Sequence, residues 1–343
     1  MVRRTFLLGA AGAALGARVV GAQSSARPEK SRLVIALGAK ASLQHLPLTI
    51  AERLNFFAAE GLEVEILDLG TGVRAQQSVM EGAADVACGT FEGLLDPLAR
   101  KHLLQAFVLL ARAPQVAFGV STRTMPMLKR VPDLRGRKIA LAAPGTSAQL
   151  VAALVLARHG LTLKDVQLVD AGATGAALQA VRTGSADAIV HMEPVITMLE
   201  QKGDIRVISD TRSLKGSQDV FGGPMPSNSL FAPAPSVQNH PNTMQALTHA
   251  VVHALKWLQT AGPSDLIKAV PESYLLGDRG LYLASFGKIR ESIALDGLIP
   301  DEGARTAVRA LARLDPAVVP GKIDLERIYT NDYARIAKEK FRA

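Results

Sequence analysis

Residues 32–37 read RLVIAL, an apolar and β-branched run of strand length between polar residues. A polar loop follows. Apolar positions then recur at helical spacing from about Pro47 to Glu60, and Gly61-Leu62 opens a second strand over 63–69. Gly70-Thr71-Gly72, a helix ending near Gly82 and a third strand over 85–88 complete the unit. The same order returns downstream. RKIALA at 137–142 precedes the loop Pro144-Gly145-Thr146-Ser147, a helical stretch over 149–159, Gly160-Leu161 and a strand over 166–169. Gly172-Ala173-Thr174, a helix ending near Gly184 and a strand over 187–190 close the second copy. Ile35 and Ile139, Gly61 and Gly160, and Asp85 and Asp187 lie 104, 99 and 102 residues apart, so the pattern is an internal repeat.

Strands joined by helical crossovers run parallel, and such crossovers are right-handed. The repeat therefore predicts an α/β protein of two lobes, each an open, mostly parallel sheet flanked by helices. The segment 221–237, FGGPMPSNSLFAPAPSV, is rich in Gly, Pro and Ser and reads as the return crossing between lobes, a place for a hinge. The outward crossing is expected near Phe118 to Thr124, before the turn at 132–136. These marks assign 32–120 plus 230–343 to lobe one and 121–229 to lobe two. From Asn242 onward the pattern is helical, over 242–260, 281–295, 301–314 and 324–340, and this tail is expected to pack on lobe one.

A length of 343 residues suffices for two such lobes. With 48% hydrophobic and 20% charged residues, the composition is that of a folded globular protein and excludes a disordered or fibrous chain. Arg3, Arg4 and Arg18 are three of the 39 basic residues and lie in a segment without acids, which leaves 36 basic against 31 acidic residues beyond Ala22. That balance is only mildly positive. Aromatic residues make up 4% and no run of five Lys or Arg occurs, so the stacking platforms and basic stripes of nucleic-acid binding are missing. Cys88 is the one cysteine, which excludes an intramolecular disulfide and a multi-cysteine metal site.

Residues 1–22 combine a positive start, an apolar Ala/Gly/Leu stretch too short to span a bilayer, and the small-residue end Val20-Gly21-Ala22, the pattern of an export signal. Arg3-Arg4-Thr5-Phe6-Leu7 also resembles the twin-arginine pattern. An ordinary secretory signal and an uncleaved N-terminal anchor are the alternatives, and each places the body outside the cytoplasm. Cys88 is far from any cleavage site, so a lipoprotein is not expected and the mature chain should be soluble in the periplasm.

Open α/β sheets bind ligands beyond the carboxyl ends of their strands, where helix N-termini present unpaired N–H groups and positive dipole ends. The repeat nominates its own loops, at 39–44, 70–72 and 89–92 in lobe one and at 143–147, 170–174 and 191–194 in lobe two. Ser42, Thr71, Thr90, Thr146 and Ser147 offer hydroxyls there, suited to the oxygens of a small anion or polar metabolite, and each could equally serve as a helix N-cap. Glu193, just before Pro194, either caps the next helix or faces the ligand, where it would favour a donor or cationic group over a bare anion. Lys40 and Arg74 could neutralise an anionic head or be solvated surface charge. The expected ligand-binding set is Ser42, Leu43, Gln44, Thr71, Gly72, Thr90, Phe91, Thr146, Ser147, His191, Glu193 and Asn228, with no catalytic residue, metal or cofactor. Two weaker patterns are read as structural: Gly70-Thr71-Gly72-Val73-Arg74-Ala75 fits the dinucleotide fingerprint but follows the wrong strand of its unit, and His249 and His253 have the i, i+4 spacing of zinc ligands without the Glu of H-E-x-x-H.

Taken together, Pro47-Leu48-Thr49-Ile50-Ala51-Glu52, Gly61-Leu62-Glu63-Val64, Gly82 to Asp85 leading into Val86-Ala87, Asp133-Leu134-Arg135-Gly136-Arg137-Lys138-Ile139-Ala140, and Gly184 to Asp187 leading into Ile189 and Glu193-Pro194 resemble the periplasmic substrate-binding proteins of ABC importers of the nitrate, sulfonate, taurine and thiamine-precursor type, the SsuA/THI5-like or NMT1 group. The resemblance covers nearly all of 32–340. It implies the two-lobed periplasmic-binding-protein type II fold, a small-molecule ligand held between the lobes, delivery to an ABC permease, and a monomer with no nucleic-acid partner. Where many relatives have Trp before Glu-Pro, this chain has His191-Met192, and Ser42-Leu43-Gln44 replaces an aromatic platform, so the ligand stays unassigned. The alternative is an enzyme on the same scaffold, a pyrimidine-precursor synthase or small-molecule lyase using His191 or Glu193 as acid or base.

Overall fold

The first apolar run becomes a buried inner strand because it pairs in parallel on both sides: β1 (Arg32–Leu37) bonds to β2 (Glu63–Asp68) and to β3 (Val86–Thr90). The computed structural model describes residues 27–143, 145–172 and 174–343; the export signal expected at 1–22, and Pro144 and Ala173 of two expected cleft loops, lie outside the described residues. Between β1 and β2 the expected single helix is two, α1 (Leu46–Arg53) and α2 (Phe56–Ala59), broken where Asn55 takes a left-handed φ of 59°. Asn tolerates that conformation better than other residues with a side chain. α3 (Gly72–Met80) joins β2 to β3, and α4 (Pro97–Lys101) precedes β4 (Leu104–Leu109).

Beyond β4 the chain enters the second sheet through β5 (Val116–Ser121) and repeats the unit: β6 (Lys138–Leu141), α5 (Ser147–Ala157), β7 (Gln167–Asp170), α6 (Thr174–Thr183) and β8 (Ala188–Met192). α7 (Val195–Gln201), β9 (Ile205–Asp210) and α8 (Leu214–Phe221) complete it, and β10 (Asn228–Pro233) returns to the first sheet. The two five-stranded sheets have matching orders, β2-β1-β3-β10-β4 and β7-β6-β8-β5-β9. In each, the strand that arrives from the other lobe is the antiparallel one, β10 beside β3 and β4, and β5 beside β8 and β9.

The repeat reflects duplicated physical roles. Asp85 and Asp187 each accept the N–H at or near the start of the first strand of their repeat unit, from Val34 at 2.9 Å and from Lys138 at 3.0 Å. Asp68 and Asp170, at the ends of β2 and β7, each accept the N–H of the glycine two residues on, at 2.9 Å. Gly61 and Gly160 turn helix into strand with φ of 77° and 73°, a region costly for a residue with a Cβ.

The outward crossing lies earlier than 118–124. Phe118 is fully buried within β5, which fills the position in the second sheet that β10 fills in the first, so lobe two begins near Val116. The crossings are at 110–115 and 222–227 and are bonded where they meet: Ser227 N donates to Ala111 O at 2.9 Å, and Leu110 N and Ala111 N donate to the O of Asn228, the first residue of β10, at 2.7 and 3.1 Å. The apolar run Leu230-Phe231-Ala232, read as part of a crossing, is the interior of β10 and fully buried.

The tail opens with α9 (Ala234–Asn239) and α10 (Pro241–Thr260), whose apolar face packs on α1, α2 and β4 of lobe one. α11 (Pro263–Ala269), α12 (Arg279–Ile289), α13 (Asp301–Ala312) and α14 (Asp332–Phe341) follow. α14 lies along α10, whereas α12 reaches α7 of lobe two, so the tail bridges both lobes. The expected helices 281–295 and 324–340 are shorter, ending at Ile289 and starting at Asp332. Among the described residues no helix is long and apolar enough to cross a membrane.

Candidate functional site

The carboxyl ends of the parallel strands from both sheets face one cavity of about 570 Å³. Gly38 follows β1, Asp68 ends β2 and Thr90 ends β3; opposite them stand Ala142 after β6, Asp170 ending β7 and His191 near the end of β8. Val116 and Asn228 join this edge because β5 and β10 run the other way and present their first residues there. One cavity thus receives the equivalent loops of both halves of the repeat.

Several expected residues are engaged in holding the lobes against each other. Ser42 Oγ points from lobe one to Met192 Sδ of lobe two at 3.2 Å and accepts Gln44 N at 3.3 Å. Gln44 Nε2 donates to Pro114 O in the outward crossing at 2.8 Å, and Asn228 Nδ2 at the return crossing donates to Gln44 O at 3.2 Å. Leu43 is a buried part of the same wall. Thr71 Oγ1 caps α3 by accepting Arg74 N at 3.3 Å, and Thr146 Oγ1 donates to Ala143 O at 2.8 Å. Ser147 Oγ donates across the cleft to Glu92 Oε1 at 2.5 Å. Thr90 and Gly72 border the cavity, Gly72 with open space where a side chain would project. His191 is buried, its Nε2 3.2 Å from Gly172 O and its Nδ1 3.4 Å from Met192 O. Burial holds its pKa below the ordinary imidazole value, so the ring is neutral near pH 7.

Phe91 is a correction to the expected set. It begins the turn after β3 and is fully buried, with its ring edge-on to Tyr329 at 5.9 Å, so it belongs to the lobe-one core and does not border the cavity. Lys40 is paired with Glu52 at 2.9 Å and also lies off the cavity. Glu193 borders the cavity but directs its carboxylate into lobe two, where Oε1 accepts Arg212 Nη1 at 2.6 Å and Oε2 accepts Thr197 N in α7 at 3.1 Å. The His249 and His253 pair lies elsewhere. His249 Nδ1 contacts Glu60 and Lys340 at 3.0 and 3.1 Å, and His253 is stacked between Phe56 and Phe341.

The sequence reading missed Tyr274, Leu276 and Tyr282, which reach the cavity from the turn before α12 and from α12 itself. They lie in the tail, outside the repeat, and the hint in the sequence is that two of its 4 tyrosines sit close together there. With half-exposed Val73 they give the cavity an apolar side. Besides the buried Glu193, the charged residues that border the cavity among the described residues are Arg74, Asp68 and Asp170, all on the exposed rim. Burial would raise the Asp68 carboxyl, but N–H donors from Lys40, Gly70 and Ala39 hold it below its ordinary value. His45 is pushed down to about 4 by burial and is neutral.

Glu92 is a buried acid of lobe one that meets Ser147 of lobe two. Burial pushes its carboxyl above the ordinary range against the opposing hydrogen bonds of Ser147, its own backbone and Thr90, and its Oε2 is buried without a partner. A carboxyl with a raised folded pKa contributes stability below its unfolded pKa and loses it as pH rises through the folded value. Glu92→Gln is therefore expected to melt above the wild type at neutral pH and to show no such gain at about pH 4, near the ordinary carboxylate pKa. Thermal melts at the two pH values check this, and a wild type more stable than Glu92→Gln at neutral pH contradicts it.

The family described as NMT1/THI5 like matches this chain over residues 42–262. A solved protein of Bordetella bronchiseptica RB50 is similar at 46% identity and a TM-score of 0.87, over 92% of this chain and 99% of that one. The alkanesulfonate-binding protein SsuA from Xanthomonas axonopodis pv. citri, bound to MOPS, shares the fold at 19% identity and a TM-score of 0.66, over 84% of this chain and 94% of its own. The periplasmic nitrate-binding protein NrtA from Synechocystis PCC 6803 does so at 15% identity and a TM-score of 0.66, over 91% and 89%. The architecture is the two-lobed one of periplasmic binding proteins. Since the family match runs through both crossings, all of lobe two and the lobe-one loops at the cleft, the chain belongs to the NMT1/THI5-like family.

Proposed function

We propose that the protein is an exported solute-binding protein that captures a small organic anion, a carboxylate or sulfonate on an apolar body, and hands it to the permease of an ABC importer. The observation that carries this reading is the convergence of two helix N-termini from opposite lobes on one cavity. Gly72 and Val73 at the start of α3, and Ser147 and Ala148 at the start of α5, have N–H groups with no intrahelical acceptor and border the same space. Their dipole ends are positive, and the inner wall between them carries neutral polar groups, among them Thr90, Asn228 and His191. A volume of about 570 Å³ is far more than an inorganic ion fills, and Tyr274, Leu276, Tyr282 and Val73 suit an apolar body.

A guest that contacts both helix starts completes its contacts only when the lobes are shut, so binding favours the closed arrangement. No covalent chemistry and no cofactor are required. Export, periplasmic residence and a monomeric state belong to the same reading, together with lobes of 32–115 plus 228–343 and of 116–227. The relatives named for alkanesulfonate and nitrate binding support capture of oxyanions. The enzyme alternative is not favoured: among the described residues Glu193 is tied to Arg212, and His191 faces backbone carbonyls rather than an acid–base partner.

The reading is tested by titrating nitrate, taurine, benzoate and benzenesulfonate into the purified chain with thermal melting and small-angle scattering as readouts. A ligand at a hundredfold excess over its Kd adds about 2.7 kcal/mol to folding stability. An aromatic acid is expected to raise the melting point and reduce the radius of gyration, with nitrate inert. No response to any organic anion, or turnover of one, overturns the reading.

A further inference from the structure

A cation lies buried behind the cleft wall. Arg212, two residues beyond the end of β9, has a side chain only 1% exposed, and its guanidinium serves three carboxylates. Nε and Nη2 donate to Asp210 at 2.8 and 2.6 Å, while Nη1 donates to Glu193 at 2.6 Å and to Glu200 at 2.8 Å. Glu200 and Asp210 retain 26% and 36% exposure and are screened in part by solvent. The Glu193 side chain is 1% exposed, and its partners are Arg212 and the Thr197 N–H. It is also the member of the cluster that borders the cavity, in the loop between β8 and α7.

Away from water a charge acts over several ångströms with little screening, so an unneutralised Glu193 would repel an anion in the cleft. A buried ion pair is weak grounds for stability in itself, because desolvating both charges offsets most of their attraction. We infer that Arg212 is a specificity-determining positioning residue: by drawing in and neutralising the Glu193 carboxylate behind the cavity wall, it leaves the cleft open to an anionic head group. The inference rests on the anion-capture reading above and adds the residue that sets the sign of the charge accepted.

Calorimetric titration with benzenesulfonate and with its neutral analogue benzenesulfonamide tests it on the full chain. The wild type is expected to prefer the sulfonate. Arg212→Gln should lose at least about tenfold in sulfonate affinity while sulfonamide affinity stays within about threefold, and adding Glu193→Gln to the same chain should restore the sulfonate. An equal loss for both probes in Arg212→Gln marks a merely structural role and overturns the inference, as does no loss at all. Should Arg212→Gln fail to fold, the double variant decides: it carries no uncompensated charge at Glu193 and must bind sulfonate as the wild type does. A wild type that binds neither probe, or that prefers the sulfonamide, removes the anion reading itself, whereas a wild type that prefers sulfonate with an indifferent Arg212→Gln removes only the role of Arg212.

Discussion

Replacing Gly38 with alanine is expected to reduce ligand affinity by more than tenfold and to destabilise lobe one by about 1–3 kcal/mol, the range for forced overpacking. A Cβ at Gly38 would lie 2.3 Å from Thr71 C and 2.4 Å from Gly72 N, both backbone atoms that cannot swing aside as a side-chain tip would. The Thr71-Gly72 segment must move, and with it the Thr71 cap and the first N–H groups of α3, one of the two helix starts assigned to the ligand. Gly287, exposed in the last turn of α12, is the control, since a Cβ there meets nothing within 4 Å. Gly287→Ala should be neutral or stabilising by up to about 1 kcal/mol on helix propensity and leave binding intact. Denaturant unfolding and calorimetry on both variants check the pair. A Gly38→Ala protein that binds like the wild type would move the ligand away from α3.

Arg212→Met should cost about 3–5 kcal/mol near neutral pH, the usual result of removing one partner from a buried ion pair and stranding the other. The loss has a defined pH dependence. In the wild type, burial would raise the Asp210 carboxyl, but the hydrogen bonds and charge of Arg212 hold it below its ordinary value. That contribution is present above the unfolded pKa and is lost as pH falls through the folded one. In Arg212→Met the Asp210 carboxyl loses most of what holds it down against burial, so the variant's deficit shrinks on acidification toward about pH 4. Adding Glu193→Gln should recover part of the deficit at neutral pH. Urea unfolding of the three proteins at neutral and acid pH tests this, and a deficit that is constant with pH contradicts it.

The repeat made the fold legible because each of its marks does a local job that residue type dictates. Asp85 and Asp187 bind the N–H near the start of a neighbouring strand, and Gly61 and Gly160 occupy turns that a Cβ would strain. The same marks located the cleft loops, so most hydroxyl and amide candidates border the cavity. Phe91 lies in the core although its loop reaches the cavity, because its ring packs against Tyr329 from the far end of the chain. The outward crossing comes earlier than its sequence pattern suggests for a related reason. β5 and β10 are buried apolar strands with no counterpart inside the repeat unit, and a short apolar run has no periodicity that tells crossing from strand.

The sequence by itself determined the α/β class, the duplication, the loops at the carboxyl ends of the strands and the resemblance to solute-binding proteins, because turn chemistry and strand–helix alternation act over a few residues. Only the tertiary structure decided where the polar side chains point. Glu193 could have faced a ligand, but Arg212 draws it inward; Ser147 could have been free, but it meets Glu92 from the other lobe. Tyr274 and Tyr282 become part of the wall only when the tail folds back over the cleft. These outcomes depend on partners tens to hundreds of residues apart and on burial, which strengthens a contact between charges and makes an unpaired polar group costly. Neither quantity exists until the chain is folded.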